Sequence, residues 1–203
     1  MRNIYEMNES EKLLLDLVNK YNNIERYREL SLIKEDIFRS EYSKGGEVYF
    51  RGIYCPFIYR QIHDNKKLGK AVSSKAKYLY EYGFDMDNDL IYSAYSDERE
   101  EFIFDEKNSR IGIEYHNFYK TVERVTVCDY KDGLLMSVNS AAAGFNAAER
   151  FALLFYGEKY SYENDRLAFI ETIDKRGCYY KRYHRKYSVN EDKLTYVGEW
   201  TTN

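Results

Sequence analysis

Lys75-Ala76-Lys77-Tyr78-Leu79-Tyr80-Glu81-Tyr82-Gly83-Phe84-Asp85-Met86-Asp87-Asn88-Asp89-Leu90-Ile91-Tyr92 is the stretch that decides the fold. Ala76, Tyr78, Tyr80, Tyr82 and Phe84 alternate with Lys75, Lys77, Leu79, Glu81 and Gly83, the two-residue period of a strand with one packed face. Asp85 to Asp89 has the composition of a turn, and Leu90 to Tyr95 returns as the second arm of a hairpin. The texture recurs downstream. Phe102 to Phe104 and Ile111 to Tyr115 flank Glu106-Lys107-Asn108-Ser109, and Arg124 to Tyr130 and Leu134 to Val138 flank Asp132-Gly133, a dipeptide that tolerates the positive φ angles of a tight hairpin. Leu167 to Ile173, Cys178 to Tyr187 and Leu194 to Trp200 complete the pattern. Links this short require antiparallel neighbours, because a parallel pair needs a crossover of a dozen or more residues.

Upstream of Gly45-Gly46 the period changes. Asn8-Glu9-Ser10-Glu11 has the form of a capping box, and Leu13, Leu14, Leu17, Val18, Tyr21 and Ile24 share one face at the 3.6-residue period, which predicts a helix from about 9 to 24. Ile24, Tyr27, Leu30, Ile33 and Ile37 predict a second helix or a bent continuation to about Phe38. Ala141-Ala142-Ala143, the cap-like Asn146, and Phe151, Leu154 and Phe155 at helical spacing predict a further helix near 140–156, with a buried strand over 151–155 as its rival. The fold expected is α+β: N-terminal helices over residues 1–44 packed on a large antiparallel meander over 45–203, in a single domain. The recurring hairpins share strand texture without a fixed signature, so they read as a meander and not as a repeat array.

Composition narrows the function classes. Lys and Arg number 31 against 34 Asp and Glu, and 23 Tyr and 11 Phe leave no room for the low-hydrophobicity signature of disorder. The longest apolar run, Phe151 to Tyr156, is far short of the ~20 residues that cross a bilayer, and the N-terminus Met1-Arg2-Asn3-Ile4-Tyr5-Glu6 lacks the apolar stretch of an export signal. A cytoplasmic protein without a membrane span is expected. Cys55, Cys128 and Cys178 are too widely spaced for a zinc or redox pair and read as buried reduced thiols. No glycine-rich phosphate loop, zinc-protease motif, nucleophile elbow or EF-hand loop occurs, so no cofactor and no metal are expected. Asp85-Met86-Asp87-Asn88-Asp89 alternates oxygen ligands but lacks the glycine and distal Glu of a calcium loop, which favours a solvated turn.

Charge carries more information than any motif. From Glu81 to Glu106 ten acidic residues face one basic residue, Arg99. From Lys175 to Lys186 six basic residues interleave with Tyr179, Tyr180, Tyr183 and, just beyond, Tyr187. Stackable rings beside cations can follow a nucleic-acid strand, which makes Lys181, Arg182, Tyr183, Arg185 and Lys186 the candidates for that activity. The acidic pI of about 5.8 argues the other way, and the alternative is that the basic strand lies beside the acidic hairpins, where opposite charges stabilise modestly. A hydrolytic site would have to be assembled from His116, Cys128 and nearby carboxylates. His63, His116 and His184 are more simply read as satisfied structural residues. The surplus of rigid tyrosines on the hairpins suits a contact surface.

A non-catalytic protein-binding domain is therefore the leading expectation, with Asp87, Asp89, Tyr92, Tyr95, Glu98, Glu100 and Glu101 as the partner contacts. In general texture the chain resembles the small acidic immunity proteins with which bacteria neutralise toxin domains exchanged in contact-dependent competition. The resemblance implies a basic toxin domain as partner, with the carboxylates steering association. It rests on no specific motif, so it carries no functional residue over.

Overall fold

The computed structural model describes residues 9–46, 48–49, 69–73, 79–96, 98–144, 152–175, 182–190 and 193–202. Two helices open the chain, α1 (Glu9–Tyr21) and α2 (Ile24–Ser31), and a 3-10 helix follows at Leu32–Asp36. The boundary between α1 and α2 is made by Asn23. Asn23 has an extended backbone and its Oδ1 accepts from the Arg26 amide at 2.9 Å, while its side-chain amide donates to the Lys20 carbonyl at 3.0 Å, so one residue closes α1 and caps α2. The predicted helix over 9–24 is thus cut at Tyr21, and the continuation toward Phe38 is a short helix and one 3-10 turn. Asn8 lies outside the described residues.

Contacts gather the chain into two compact units, although no shift of composition marks a boundary. The first comprises Lys20–Glu123. Its strands are β1 (Arg39–Lys44), β2 (Lys70–Val72), β3 (Tyr80–Phe84), β4 (Leu90–Tyr95), β5 (Arg99–Glu106) and β6 (Ser109–His116). They pair antiparallel in the order β6-β5-β4-β3-β1-β2, so β1 is inserted between β2 and β3. β1 begins before the Gly45-Gly46 break, inside the stretch expected to be helical. Tyr82, Tyr115, Phe102, Ile103 and Ile113 are fully buried, and Tyr27 of α2 packs edge-on against Phe102 and Tyr115 at 6.0 and 5.2 Å. The Tyr115 hydroxyl donates to the Tyr21 carbonyl at 2.8 Å, and burial pushes its pKa up.

The second unit comprises the chain up to Asn19 with Arg124–Asn203. Its strands are β7 (Val122–Lys131, which starts two residues before the unit), β8 (Leu134–Gly144), β9 (Ala152–Glu163), β10 (Arg166–Lys175), β11 (Arg182–Asn190) and β12 (Lys193–Thr202). They form an antiparallel meander in chain order. Asp132 and Gly133 both have positive φ, 52° and 80°, as the hairpin reading required. Asn164 and Asp165 do the same at 51° and 61°, since their short side chains tolerate the left-handed region. Cys178 to Lys181 lie outside the described residues, as do Cys55, Tyr78 and His63.

The helix expected near 140–156 is overturned: residues 140–144 end β8 and residues 152–156 begin β9, with 145–151 outside the described residues. Ser140 pairs with Thr126 and Tyr156, and Ala141 pairs with Val125 and Phe155. Ala is a strong helix former, but at this place its small side chain is fully buried between two neighbouring strands, and ladder hydrogen bonds on both sides outweigh a local preference of a few tenths of a kcal/mol. The Ser140 hydroxyl completes the pairing, 3.1 Å from Thr126 Oγ1 and donating to the Val125 carbonyl at 3.2 Å.

Candidate functional site: an acidic groove

The 3-10 helix, the Asp85–Asp89 turn and the facing ends of β5 and β6 meet at one end of the Lys20–Glu123 unit and line an open groove of about 610 Å³. Ile91 and Phe104, both half-buried, form apolar surface inside it. Glu35 and Asp36 line one part, Asp85, Asp87 and Asp89 another, and Asp105 a third, so six carboxylates face a single guanidinium, that of Arg110. Arg110 is already engaged: Nη2 donates to the Leu90 carbonyl at 2.9 Å, and Asp89 and Asp105 lie 3.4 and 3.9 Å from its nitrogens. Phe38 and Met86 also line the groove, and they are 72% and 81% exposed. Large apolar side chains this exposed at a groove carry an unusual desolvation gain for whatever covers them.

Each wall is held by backbone chemistry. Asp85 Oδ1 accepts from the amides of Asp87 and Asp89 at 3.0 and 2.9 Å, so Asp85 serves the turn itself. Among the described residues no group of three or more His, Cys, Asp or Glu is placed to hold a metal ion. Opposite, the Phe38 amide donates to the Phe84 carbonyl at 2.8 Å and Arg39 lays its guanidinium over the Phe84 ring at 4.2 Å. Ile37 packs so close to Gly83 that a Cβ there would lie 2.7 Å from Ile37 Cδ1. Gly83 is needed for that approach.

The seven predicted contacts do not form one surface. Asp87 and Asp89 are exposed at the groove. Glu98 is exposed and Tyr95 half-buried at the opposite end of β4 and β5, on the order of 20 Å away at the rise of a strand. Tyr92, Glu100 and Glu101 are corrected: all three are buried, Glu100 to 2% exposure, and none is available to a partner as the chain folds. Alternation along β5 gave Glu100 no face in the sequence, because the cations that draw it inward come from distant elements. Lys34 of the 3-10 helix binds Oε2, Lys120 lies 3.0 Å from Oε1, and the Tyr27 hydroxyl donates to Oε1 at 2.6 Å. Lys34 also stands over the Tyr92 ring at 5.0 Å, and Lys120 over the Tyr27 ring at 4.4 Å. Burial pushes the Glu100 carboxyl up, but the bonds from Lys34, Tyr27 and Lys120 outweigh it and hold its pKa below the ordinary value. Tyr92, beside the same carboxylate, is pushed far above the ordinary tyrosine range, first by burial and then by the neighbouring negative charge.

The other candidate residues are dispersed. His116 Nδ1 accepts from the amides of Phe118 and Tyr119 at 3.1 and 3.4 Å, so that nitrogen serves a turn. Cys128 is fully buried. His184 is 8% exposed, with Nδ1 3.2 Å from Glu171 Oε1, Nε2 2.8 Å from Thr202 Oγ1, and its ring stacked on Trp200 at 5.1 Å. Both nitrogens of that imidazole are engaged. Within its own unit the basic strand β11 pairs with β10 and β12. Lys186 pairs across from Glu171 and sits 4.2 Å over the Phe169 ring, Arg185 reaches Glu199 at 3.7 Å, and Tyr183 is exposed. Lys181 and the side chain of Arg182 lie outside the described residues. Among the described residues no helix is long and apolar enough to cross a membrane.

No protein-family model matches the chain, and no match was found among curated proteins or solved structures. Missing from the sequence reading were Phe38 and Met86. The only local signal for either was a bulky apolar residue beside charges, Asp36 and Arg39 for Phe38 and two aspartates for Met86.

Proposed function

We propose that this protein is a non-catalytic, cytoplasmic protein-binding domain whose acidic groove receives a basic partner. The observation that carries the reading is the pairing of six carboxylates with two exposed apolar side chains at one fixed groove. Opposite charge accelerates encounter and rejects anionic partners, while desolvated apolar contacts slow dissociation. Nucleic acid, a polyanion, is disfavoured at such a surface. An immunity protein that occludes a cationic toxin domain is the specific form proposed, in line with the texture of the sequence. The test is the product of a toxin-like neighbouring reading frame. Co-expression with that toxin domain protects cells, and the Asp36→Asn, Asp87→Asn, Asp89→Asn triple variant loses protection. Absence of protection by the unaltered chain, or full protection by the triple variant, overturns the reading.

A further inference from the structure

We infer that the groove's ligand is a protruding segment of the partner that carries one large apolar side chain flanked by Arg or Lys, with the apolar side chain as the anchor. This rests on the protein-binding reading and adds the chemistry of the ligand. The groove is concave, with a volume of about 610 Å³, the size of a site that encloses a few side chains, so a projecting segment can enter it where a flat surface would meet only its rim.

The apolar anchor follows from what is already rigid. Phe38 is exposed, yet its backbone is tied to Phe84, and Met86 is exposed on a turn whose neighbouring amides are both bonded to Asp85. Their main chains lose little freedom when covered, so burial converts efficiently into affinity. Met86 adapts to irregular shapes and Phe38 offers a flat ring, with Ile91 and Phe104 beside them as apolar surface. The flanking cations follow from the rim. Among the described residues Glu35, Asp36 and Asp87 make no ion pair, and Arg110 is taken up by Asp89, Asp105 and the Leu90 carbonyl. An apolar anchor alone would leave these carboxylates partly desolvated without compensation.

The experiment uses the full chain and three fluorescent synthetic peptides, Arg-Lys-Phe-Arg-Lys, its twin with Ser in place of Phe, and Glu-Glu-Phe-Glu-Glu, titrated by anisotropy at low and high salt. The first peptide binds and shifts the Met86 methyl resonance, the Ser twin binds at least ~10-fold more weakly, and the acidic peptide does not bind. Phe38→Ala with Met86→Ala weakens the first peptide about tenfold while leaving the salt slope intact, and Asp36→Asn, Asp87→Asn, Asp89→Asn flattens that slope. Both sets change exposed side chains, and circular dichroism confirms that the variants fold. Equal binding of the two cationic peptides, lost in the aspartate variant, overturns the anchor and leaves the acidic docking surface standing. Failure of every cationic peptide to bind, or binding of the acidic one, overturns the inference whatever the toxin co-expression experiment shows.

Discussion

Two glutamates show how the same residue type is set in opposite directions by its neighbours. Glu100 is held below its ordinary pKa by Lys34, Tyr27 and Lys120 against the opposing effect of burial. Its contribution to stability is therefore present above the unfolded carboxylate pKa and lost as the pH falls through the depressed folded value. Glu100→Gln leaves two partly exposed ammonium groups around a neutral amide. It is expected to lower the unfolding free energy by about 2 kcal/mol at pH 7, read from urea titration, and to remove the acid-side dependence of this unit. Glu158 is the converse. Burial pushes it up, and the hydroxyls of Tyr156 and Tyr160 offset that only in part. A raised folded pKa favours the protonated form, so its contribution is complete below the unfolded pKa and is lost as the pH rises through the folded one. Glu158→Gln is expected to abolish that loss, with a urea midpoint at pH 7.5 no lower than the wild-type value. A midpoint that drops while the pH dependence persists would show that the charged form is the stabilised one.

Among the elements, the turn and strand that build the groove depend on a single close approach. A methyl group at Gly83 meets Ile37 Cδ1 at 2.7 Å, Ile37 Cγ1 at 2.8 Å and Tyr92 Cβ at 3.2 Å. Gly83→Ala is expected to destabilise by about 1–2 kcal/mol through overpacking and to weaken partner binding, because Ile37 carries the chain into Phe38. Ile37→Ala in the same chain relieves the crowding, so a double-mutant cycle gives a coupling energy of the opposite sign to the single losses. The β7–β8 hairpin offers a contrast. Gly133 has φ of 80° with nothing within 4 Å of an added Cβ, so Gly133→Ala costs about 1 kcal/mol from backbone strain alone. Thermal unfolding distinguishes the two: no second-site truncation rescues the hairpin variant.

For the molecule as a whole, the nearly balanced charge of 31 basic and 34 acidic residues conceals a strong local asymmetry. Part of the acidic hairpin charge is paired internally, Glu100 with Lys34 and Lys120, and Asp89 and Asp105 with Arg110. Asp87, Glu35 and Asp36 stay exposed at the groove, and Glu98 at the far end of the strands. Because exposed charges are screened beyond about 10 Å at 0.1 M salt, the association rate with a cationic partner is expected to fall steeply with ionic strength. Asp87→Asn with Asp89→Asn reduces that dependence in stopped-flow measurements, whereas Glu98→Gln, at the far end of the strands, leaves it nearly unchanged. An equal effect from Glu98→Gln would place the contact surface at the other end.

The hairpins from β3 to β8 and their antiparallel pairing were legible in the sequence, because a period of two and the φ preferences of Asp, Asn and Gly act over a few residues, whereas β1, β2, β9 and the insertion of β1 between β2 and β3 were not. The Asp132-Gly133 turn is read from two letters. The helix expected at 140–156 was not, since Ala141 becomes a strand residue only when Val125 and Phe155 arrive on either side of it. The acidic surface divides in the same way. Composition placed carboxylates on the hairpins, but which of them reach solvent depended on Lys34 and Lys120, 66 and 20 residues from Glu100 along the chain. Electrostatic attraction and burial act between groups that only folding brings near, so tertiary structure alone turned Glu100 inward and left Asp87 at the rim beside Phe38 and Met86.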